Sequence, residues 1–241
     1  MQYIISFFLI SNIVFSQDEK IYDESEIWDP EVKIVDPYGF NGAPDDAIIL
    51  FDGRDFSKWK SERNNQKVLW FLNPDKSMTI NPGTGGIETI EEHGSIQLHI
   101  EWKSPTKIKA DGQYRGNSGI FFQRRYELQI LDSYQNRTYS NGQAGSIYKQ
   151  HIPLVNVTLP PGEWQKFDIV FNAPKFNHKG DLIKKGNFTI FHNGVLIHNA
   201  VEIISATYDF EEDTPFTLLL QDHGRDEGNY ISFRNIWMRK L

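Results

Sequence analysis

Cysteine is absent from this chain of 241 residues. Without thiols the fold cannot be held by disulfides, and no cysteine can carry a lipid anchor. Stability must therefore come from a packed core. The composition can supply one, because aromatic residues make up 14% of the chain.

A long basic stripe is also absent. The formal net charge is -7 and the isoelectric point is near 5.5, and no stripe of Lys and Arg interrupts the acidic balance. Binding of nucleic acid needs clustered cations that replace the counterions of phosphate. The composition therefore excludes nucleic acid as a partner, and it leaves room for a neutral ligand such as a sugar.

Common catalytic and metal-binding motifs are missing as well. The chain contains no GxSxG, HExxH, P-loop or dinucleotide-binding pattern. It also lacks internal repeats and any sustained helical period of apolar residues. A functional site has to be sought on the faces of strands.

Long apolar runs are limited to the first residues, MQYIISFFLISNIVFSQ. This run is too short to span a bilayer and is typical of a secretory signal, although no Lys or Arg precedes it. The alternative is a buried N-terminal strand. We interpret residues 1–16 as a signal peptide, cleaved between Ser16 and Gln17, which predicts a secreted or periplasmic protein with no membrane span.

Residues 17–46 form an acidic segment that contains three of the prolines and has little apolar periodicity. We predict an extended N-terminal arm, with Trp28 anchoring it in a surface groove, because linkers seldom contain Trp. The globular domain then covers residues 47–241, beginning at AIILFDGRDFSKW, where a short apolar strand meets an Asp-Gly turn.

Alternating apolar and polar residues predict strands along this whole domain. The segments SIQLHIEW, WQKFDIVF, FTLLLQDHG and YISFRNIWMRKL each have strand length, and NFTIFHNGVLIH places Asn193-Gly194 between two apolar runs, as in a hairpin. Many short strands in one chain of this length favour a single all-β domain, a two-sheet β-sandwich or jelly roll.

The stretch GNSGIFFQRRYELQILDS, residues 116–133, has polar residues where a buried strand is expected. Tyr126, Leu128 and Ile130 point to one face, while Glu127 and Gln129 point to the other. That second face is either exposed to water or the floor of a site.

Two further predicted strands also place two polar residues on one face. These pairs are His99 with Glu101 and Gln221 with His223. A carboxylate together with a histidine or a second carboxylate can provide the acid and the base for catalysis at a glycosidic oxygen. The alternative is that each pair belongs to the solvated face of an antiparallel sheet.

Seven motifs occur in order: LFDGRDFSKW, GSIQLHIEWKSP, GNSGIFFQRRYELQILDS, YSNGQAGSIYKQHIPLVN, PGEWQKFDIVF, HNGVLIHN, and LQDHG followed by FRNIWMRKL. Together they resemble the 3-keto-disaccharide hydrolase domain family over about residues 47–241. The resemblance implies a concanavalin A-like jelly roll of two curved antiparallel sheets with a sugar-binding face. It also implies action on glycosides that are oxidised at C3 of the sugar.

The resemblance can be followed residue by residue, although it does not assign catalytic roles. The matching positions are Glu101, Asn117, Ser118, Glu127, Gln129, Asp132, Tyr148, Gln221, His223, Arg234 and Asn235. The segment GIETIEEHGSIQLH departs from the family pattern, because members tend to have a basic or polar residue at Glu88 and an Asp near Ser95. This departure concerns the rim of the site and therefore the choice of substrate.

A ketone at C3 acidifies the hydrogen at C2, so a base can start an elimination that expels the group at C1, after which water adds. We expect Glu127 to be the base and His223 the acid or the donor to the enolate oxygen. Glu101 completes the catalytic set by binding hydroxyls or holding charges in place. The expected substrate-binding residues are Asn117, Ser118, Gln129, Asp132, Tyr148, Gln221 and Arg234.

Three alternatives stay open at this point. A divalent cation, Ca²⁺ or Mg²⁺, could stabilise the enolate through oxygen ligands such as Glu127 and Asp132, although no ligand spacing indicates a metal. The domain could instead be a conventional glycosidase with two carboxylates. It could also be a carbohydrate-binding module without catalysis, since fold does not settle function. Oligomeric state is not predicted.

The apolar N-terminus generates a first testable prediction. If residues 1–16 are a signal peptide, mature protein recovered from an exporting host begins at Gln17, because signal peptidase removes the apolar segment. Intact-mass spectrometry measures this directly. Recovery of exported protein that still carries Met1 would contradict the interpretation.

Overall fold

The computed structural model describes residues 25–64, 66–210, 215–224 and 229–241, and the predicted signal peptide lies outside them. The chain divides into two units, Met1–Val35 and Asp36–Leu241. In the first unit the Trp28 side chain is 78% exposed, and its indole N–H donates to Glu26 at 3.0 Å. The predicted anchoring of the arm by Trp28 stays a prediction.

The second unit is built from short strands with little helix. Its strands are Ile48–Phe51 (β1), Trp59–Ser61 (β2), Phe71–Leu72 (β3), Met78–Thr79 (β4), Ile87–Glu92 (β5), Ile96–Lys103 (β6), Ser118–Phe122 (β7), Tyr126–Ile130 (β8), Gln165–Asn172 (β9), Lys175–Phe176 (β10), Leu182–Lys184 (β11), Asn187–His192 (β12), Val195–Glu202 (β13), Thr217–Leu220 (β14) and Ser232–Lys240 (β15). Three-residue 3₁₀ helices cover Phe40–Gly42, Gly112–Tyr114 and Ser140–Gly142. Within the described ranges, no helix is long and apolar enough to cross a membrane.

The strands form two antiparallel sheets. The large sheet has eight strands in the order β13-β12-β9-β6-β15-β4-β3, with β1 also paired to β15. The small sheet has five strands in the order β2-β5-β14-β7-β8, and β10 and β11 form a separate hairpin. This arrangement confirms the predicted all-β jelly-roll sandwich.

Strand alternation builds the core between the two sheets. Phe171 of the large sheet lies at its centre, with its ring centroid 5.0 Å from those of Phe122 and Phe188. From the small sheet, Leu128 and Ile130 face the same core and are fully buried. Because successive side chains on a strand point to opposite faces, the residues between these apolar ones lie on the outer face of each sheet.

The edge strand β8 is covered by the loop that follows it. The Gln129 N–H donates to the Ser146 carbonyl at 2.9 Å, and the Tyr148 N–H donates to the Glu127 carbonyl at 3.0 Å. These bonds satisfy the backbone groups that an edge strand would otherwise expose. They also fix the side chains of this loop beside the outer face of the small sheet.

Candidate functional site

A row of paired residues crosses the outer face of the small sheet. Leu219 on β14 lies opposite Glu88 on β5 and Phe121 on β7, and Phe121 in turn lies opposite Glu127 on β8. Opposed residues of neighbouring strands point to the same face. Glu127 therefore stands at the β8 end of this row, on the face away from the core, as predicted.

The adjacent row contains two glutamines separated by a glycine. Gly119 lies opposite Gln129, and its carbonyl accepts the N–H of Gln221 at 2.9 Å. A Cβ atom at Gly119 would lie 2.6 Å from Oε1 of Glu127 and 2.9 Å from the ring of Phe121. A side chain at this position would therefore displace the Glu127 carboxylate or the Phe121 ring.

Burial gives the Glu127 carboxyl unusual electrostatics. The residue is only 2% exposed, and its Oε2 has no hydrogen-bond partner among the described residues. Loss of hydration raises the pKa of Glu127 to about 8, and the charge of Lys149 opposes this shift only in part. A carboxyl with such a pKa changes protonation near neutral pH, which is typical of an acid or base in catalysis.

Two tyrosines, Tyr148 and Tyr208, lie close enough to this carboxyl for its charge to affect them, and a third, Tyr139, contacts Tyr148. The hydroxyls of Tyr139 and Tyr148 are 2.7 Å apart, and the Tyr208 ring stacks on Phe121 with a centroid distance of 6.1 Å. Burial and the charges around it, including that of Glu127, raise the pKa of Tyr208 to about 12, and burial also raises that of Tyr148. At neutral pH these phenols are O–H donors placed around a potential base.

Several buried polar atoms on this face lack partners within the described structure. They are the oxygens Glu127 Oε2, Gln129 Oε1 and Gln221 Oε1 and the nitrogen Asn229 Nδ2. An unsatisfied buried polar group costs about 1–3 kcal/mol, so such groups seldom gather without a reason. Three acceptors and one donor on neighbouring segments fit the hydroxyl groups of a sugar.

Asn117 and Ser118 form hydrogen bonds with residues that carry the polar groups of this surface. The Asn117 side chain donates to the Gln113 carbonyl at 2.7 Å, and its Oδ1 lies 3.3 Å from Nε2 of Gln129. The Ser118 hydroxyl donates to the carbonyl of Gln221 at 2.7 Å. Ser118 belongs to the inner face with Ile120, so the structure places it as a support for Gln221.

Asp132 is engaged elsewhere. Its carboxylate forms a buried ion pair with Arg115 at 2.8 Å and accepts the Tyr134 N–H at 3.2 Å. Through Arg115 it anchors the loop that precedes β7. Among the described residues, no group of three or more Asp, Glu, His or Cys side chains could hold a metal ion. The alternative in which Glu127 and Asp132 bind a cation therefore gains no support from these contacts.

His223 follows Gln221 along the chain and is partly buried. The intervening Asp222 accepts the backbone N–H groups of Gly83 and Gly85 at 2.8 and 2.9 Å. These two hydrogen bonds fix the backbone of the segment that follows β14. They therefore help to position both Gln221 and His223.

Glu101 and Arg234 lie on the opposite side of the molecule. They form an ion pair at 2.6 Å on the outer face of the large sheet, where Asn235 also donates to Glu101. Although burial opposes ionisation, hydrogen bonds from His99, Arg234 and Asn235 lower the pKa of Glu101 to about 2. The core separates Glu101 and Arg234 from Glu127, which corrects their predicted place in one site.

His99 completes this second cluster. Burial disfavours its protonation, but hydrogen bonds with Asp168 and Glu101 raise the pKa of His99 to about 9. Its Nδ1 lies 2.6 Å from the Asp168 carboxylate. The cluster thus pairs two carboxylates with two cations, which is the pattern of a satisfied structural network.

Sequence reasoning missed the site residues that loops contribute. Tyr139, Tyr208 and Asn229 lie outside strands, where no alternation marks the direction of a side chain. Gln113, whose carbonyl and side chain contact Asn117 and Gln129, lies in a 3₁₀ helix. The glycine-bearing segment GNSG was the available signal, since a side chain at Gly119 would displace the Glu127 carboxylate.

Comparison with known proteins agrees with the predicted resemblance. A family model described as "3-keto-alpha-glucoside-1,2-lyase-like domain" matches residues 46–239. The chain is similar to a candidate glycosyl hydrolase from Parabacteroides distasonis, with 41% identity and a TM-score of 0.83 over 91% of this chain and 96% of that one. A second such protein from this organism is 20% identical, with a TM-score of 0.59 over 81% and 94% of the two chains, and shows the shared fold. No curated protein matches the sequence.

The buried carboxyl predicts a stability change with a definite sign. Below about pH 4.5 Glu127 is protonated in both states; above that pH the unfolded state ionises first, so stability falls until the folded pKa near 8 is passed. Glu127→Gln removes this cost. We expect the variant to gain about 2–5 kcal/mol over wild type near pH 9 and much less near pH 4.5.

Urea unfolding at the two pH values measures this difference. The matched control is Glu163→Gln, which removes an exposed carboxylate and should follow wild type at both. An equal effect of Glu127→Gln at both pH values would mean that Glu127 is already ionised in the folded protein at neutral pH.

Proposed function

Because the chain belongs to the 3-keto-alpha-glucoside-1,2-lyase-like domain family, we propose that it is an enzyme that cleaves the glycosidic bond of 3-keto-glycosides or 3-keto-disaccharides. The relative that is 41% identical supports a glycoside-cleaving activity through its description as a candidate glycosyl hydrolase. The observation that carries the proposal is the uncompensated carboxyl of Glu127, buried on a face with free polar atoms. The apolar N-terminus supports action in the periplasm or outside the cell.

The proposed reaction begins at C2 of the oxidised sugar. Glu127, in its ionised form, takes the proton from C2, and the electron pair is delocalised onto the C3 oxygen as an enolate. The enolate then collapses, forming the C1–C2 double bond and breaking the bond from C1 to the leaving oxygen. Water adds at C1 of the resulting unsaturated ketone to complete a net hydrolysis.

The surrounding donors suit the charge that develops. Tyr148 and Tyr208 retain their protons at neutral pH and can donate to the enolate oxygen, which stabilises it without further reorganisation. His223 is the proposed acid that protonates the leaving oxygen. Gln129, Gln221 and Asn229 bind the remaining hydroxyls through their unsatisfied atoms.

Within the described strands of the small sheet, no second carboxylate lies near Glu127 at the separation of a conventional two-carboxylate glycosidase. Such enzymes place the two groups about 5–10 Å apart. Among the described residues, the other carboxylate in the row of Glu127 is Glu88, three strands away and thus about 14 Å distant. Glu88 is also neutralised, because Arg124 lies 3.0 Å from it and Thr217 donates to it at 2.6 Å.

Turnover of matched substrates tests the proposal. We expect wild type to cleave a 3-keto-glucoside or 3-keto-trehalose and not the unoxidised parent, because only the ketone acidifies C2. Glu127→Gln should keep the fold and lose about 10²- to 10⁴-fold in turnover, since the amide cannot accept a proton. His223→Ala should also slow cleavage, whereas the exposed His178→Ala should not.

Product analysis and binding separate the alternatives. An unsaturated keto sugar detected by its ultraviolet absorbance supports the elimination. Cleavage of the unoxidised parent would instead indicate an ordinary glycosidase. Sugar binding without cleavage of any substrate would indicate a binding module, and wild-type turnover by Glu127→Gln would remove Glu127 from the mechanism.

The raised pKa of Glu127 predicts the pH profile. The base must be ionised, so kcat/KM should rise by about tenfold per pH unit well below the pKa and level off above about pH 8. Stopped assays across this range with wild-type protein measure the slope. A rate that is already constant from pH 5 upward would be incompatible with Glu127 as the base at this pKa.

A further inference from the structure

The hairpin of β10 and β11 stands apart from both sheets. It consists of Lys175–Phe176 and Leu182–Lys184, and all five residues are exposed. Residues 175–185 contain four lysines and one aspartate, in a chain whose formal net charge is -7. The hairpin is therefore a basic element on an acidic protein.

The register of the hairpin places like charges together. Lys175 lies directly opposite Lys184. Directly opposed like charges destabilise an antiparallel pair. Neither lysine, nor Lys179 in the turn, forms an ion pair with any described residue, whereas Lys185 pairs with Glu202 at 3.2 Å. Three unpaired cations on one small hairpin create a local field that an external anion would neutralise.

Apolar side chains accompany these cations. Phe176 lies opposite Leu182, and Phe176, Leu182 and Ile183 are 53%, 50% and 65% exposed. The hairpin also borders a groove of about 210 Å³, which is lined by Pro174, Phe176, Leu182, Ile203, Ile204 and Phe210. An exposed apolar patch of this kind is typical of an interaction surface.

We propose that this hairpin docks the protein on the surface of an anionic lipid bilayer. Lysines would meet the headgroup phosphates, and Phe176, Leu182 and Ile183 would enter the boundary of the acyl chains. A polyanionic glycan would neutralise the lysines and leave these apolar side chains in water. A second copy of the chain would bring the same unpaired lysines together and repel. The combination of both features therefore favours a membrane surface.

Vesicle co-sedimentation tests the proposal with the exported, processed protein, which the signal-peptide interpretation predicts to begin at Gln17. We expect binding to phosphatidylcholine vesicles that contain phosphatidylglycerol, weaker binding to phosphatidylcholine alone, and loss of binding at high salt. Because each lysine near an anionic surface contributes about a fivefold increase in partitioning, Lys175→Gln/Lys184→Gln should reduce binding by about 25-fold. Phe176→Ser/Ile183→Ser should also weaken it.

The matched control is Lys107→Gln/Lys166→Gln, which removes two exposed lysines outside the hairpin and should bind as wild type does. Wild type and variants are all compared in this processed form, so the apolar segment 1–16 contributes no vesicle binding of its own. Undiminished vesicle binding by the hairpin variants would overturn the proposal. So would a dimer in analytical ultracentrifugation that disappears in Phe176→Ser/Ile183→Ser, or retention on an immobilised polyanion without vesicle binding.

Discussion

The burial of one carboxyl group over the backbone of Gly119 organises the candidate site. Glu127 reaches this position because β8 pairs with β7 and because the residue opposite Gln129 has no side chain. The carboxyl has lost its hydration without gaining a compensating hydrogen bond at Oε2, and its pKa rises accordingly. The tyrosines and amides around it are arranged so that a ligand, rather than the protein, can complete the hydrogen bonding.

Glu127 differs from the other candidate carboxylates of the sequence because their negative charges are compensated by neighbouring groups and its own is not. Asp132 is paired with Arg115, and Glu101 accepts from Arg234 and Asn235. A carboxylate whose partners are built into the fold is held ionised and immobile, which suits a structural role. A carboxyl without such partners titrates near neutral pH and is available for proton transfer.

The sandwich also presents two different outer faces. The large sheet carries a satisfied network around His99 and Glu101, while the small sheet carries unsatisfied oxygens around Glu127. A third surface, the hairpin of β10 and β11, belongs to neither sheet and combines unpaired lysines with exposed apolar residues. Catalysis and docking would therefore use separate parts of one domain, so each can be altered without the other.

The sequence by itself determined the strands, their inner and outer faces, the family and Glu127, because alternation along a strand is a local property with a period of two residues. Tertiary structure decided which of the outward-facing polar residues lie together on the same sheet. Glu101 alternates with core residues just as Glu127 does, yet the two lie on different sheets, and only pairing between distant segments such as β7 and β14 settles this. The loops that add Tyr139, Tyr208 and Asn229 follow no period, so their place at the site arises only once the sheets have formed.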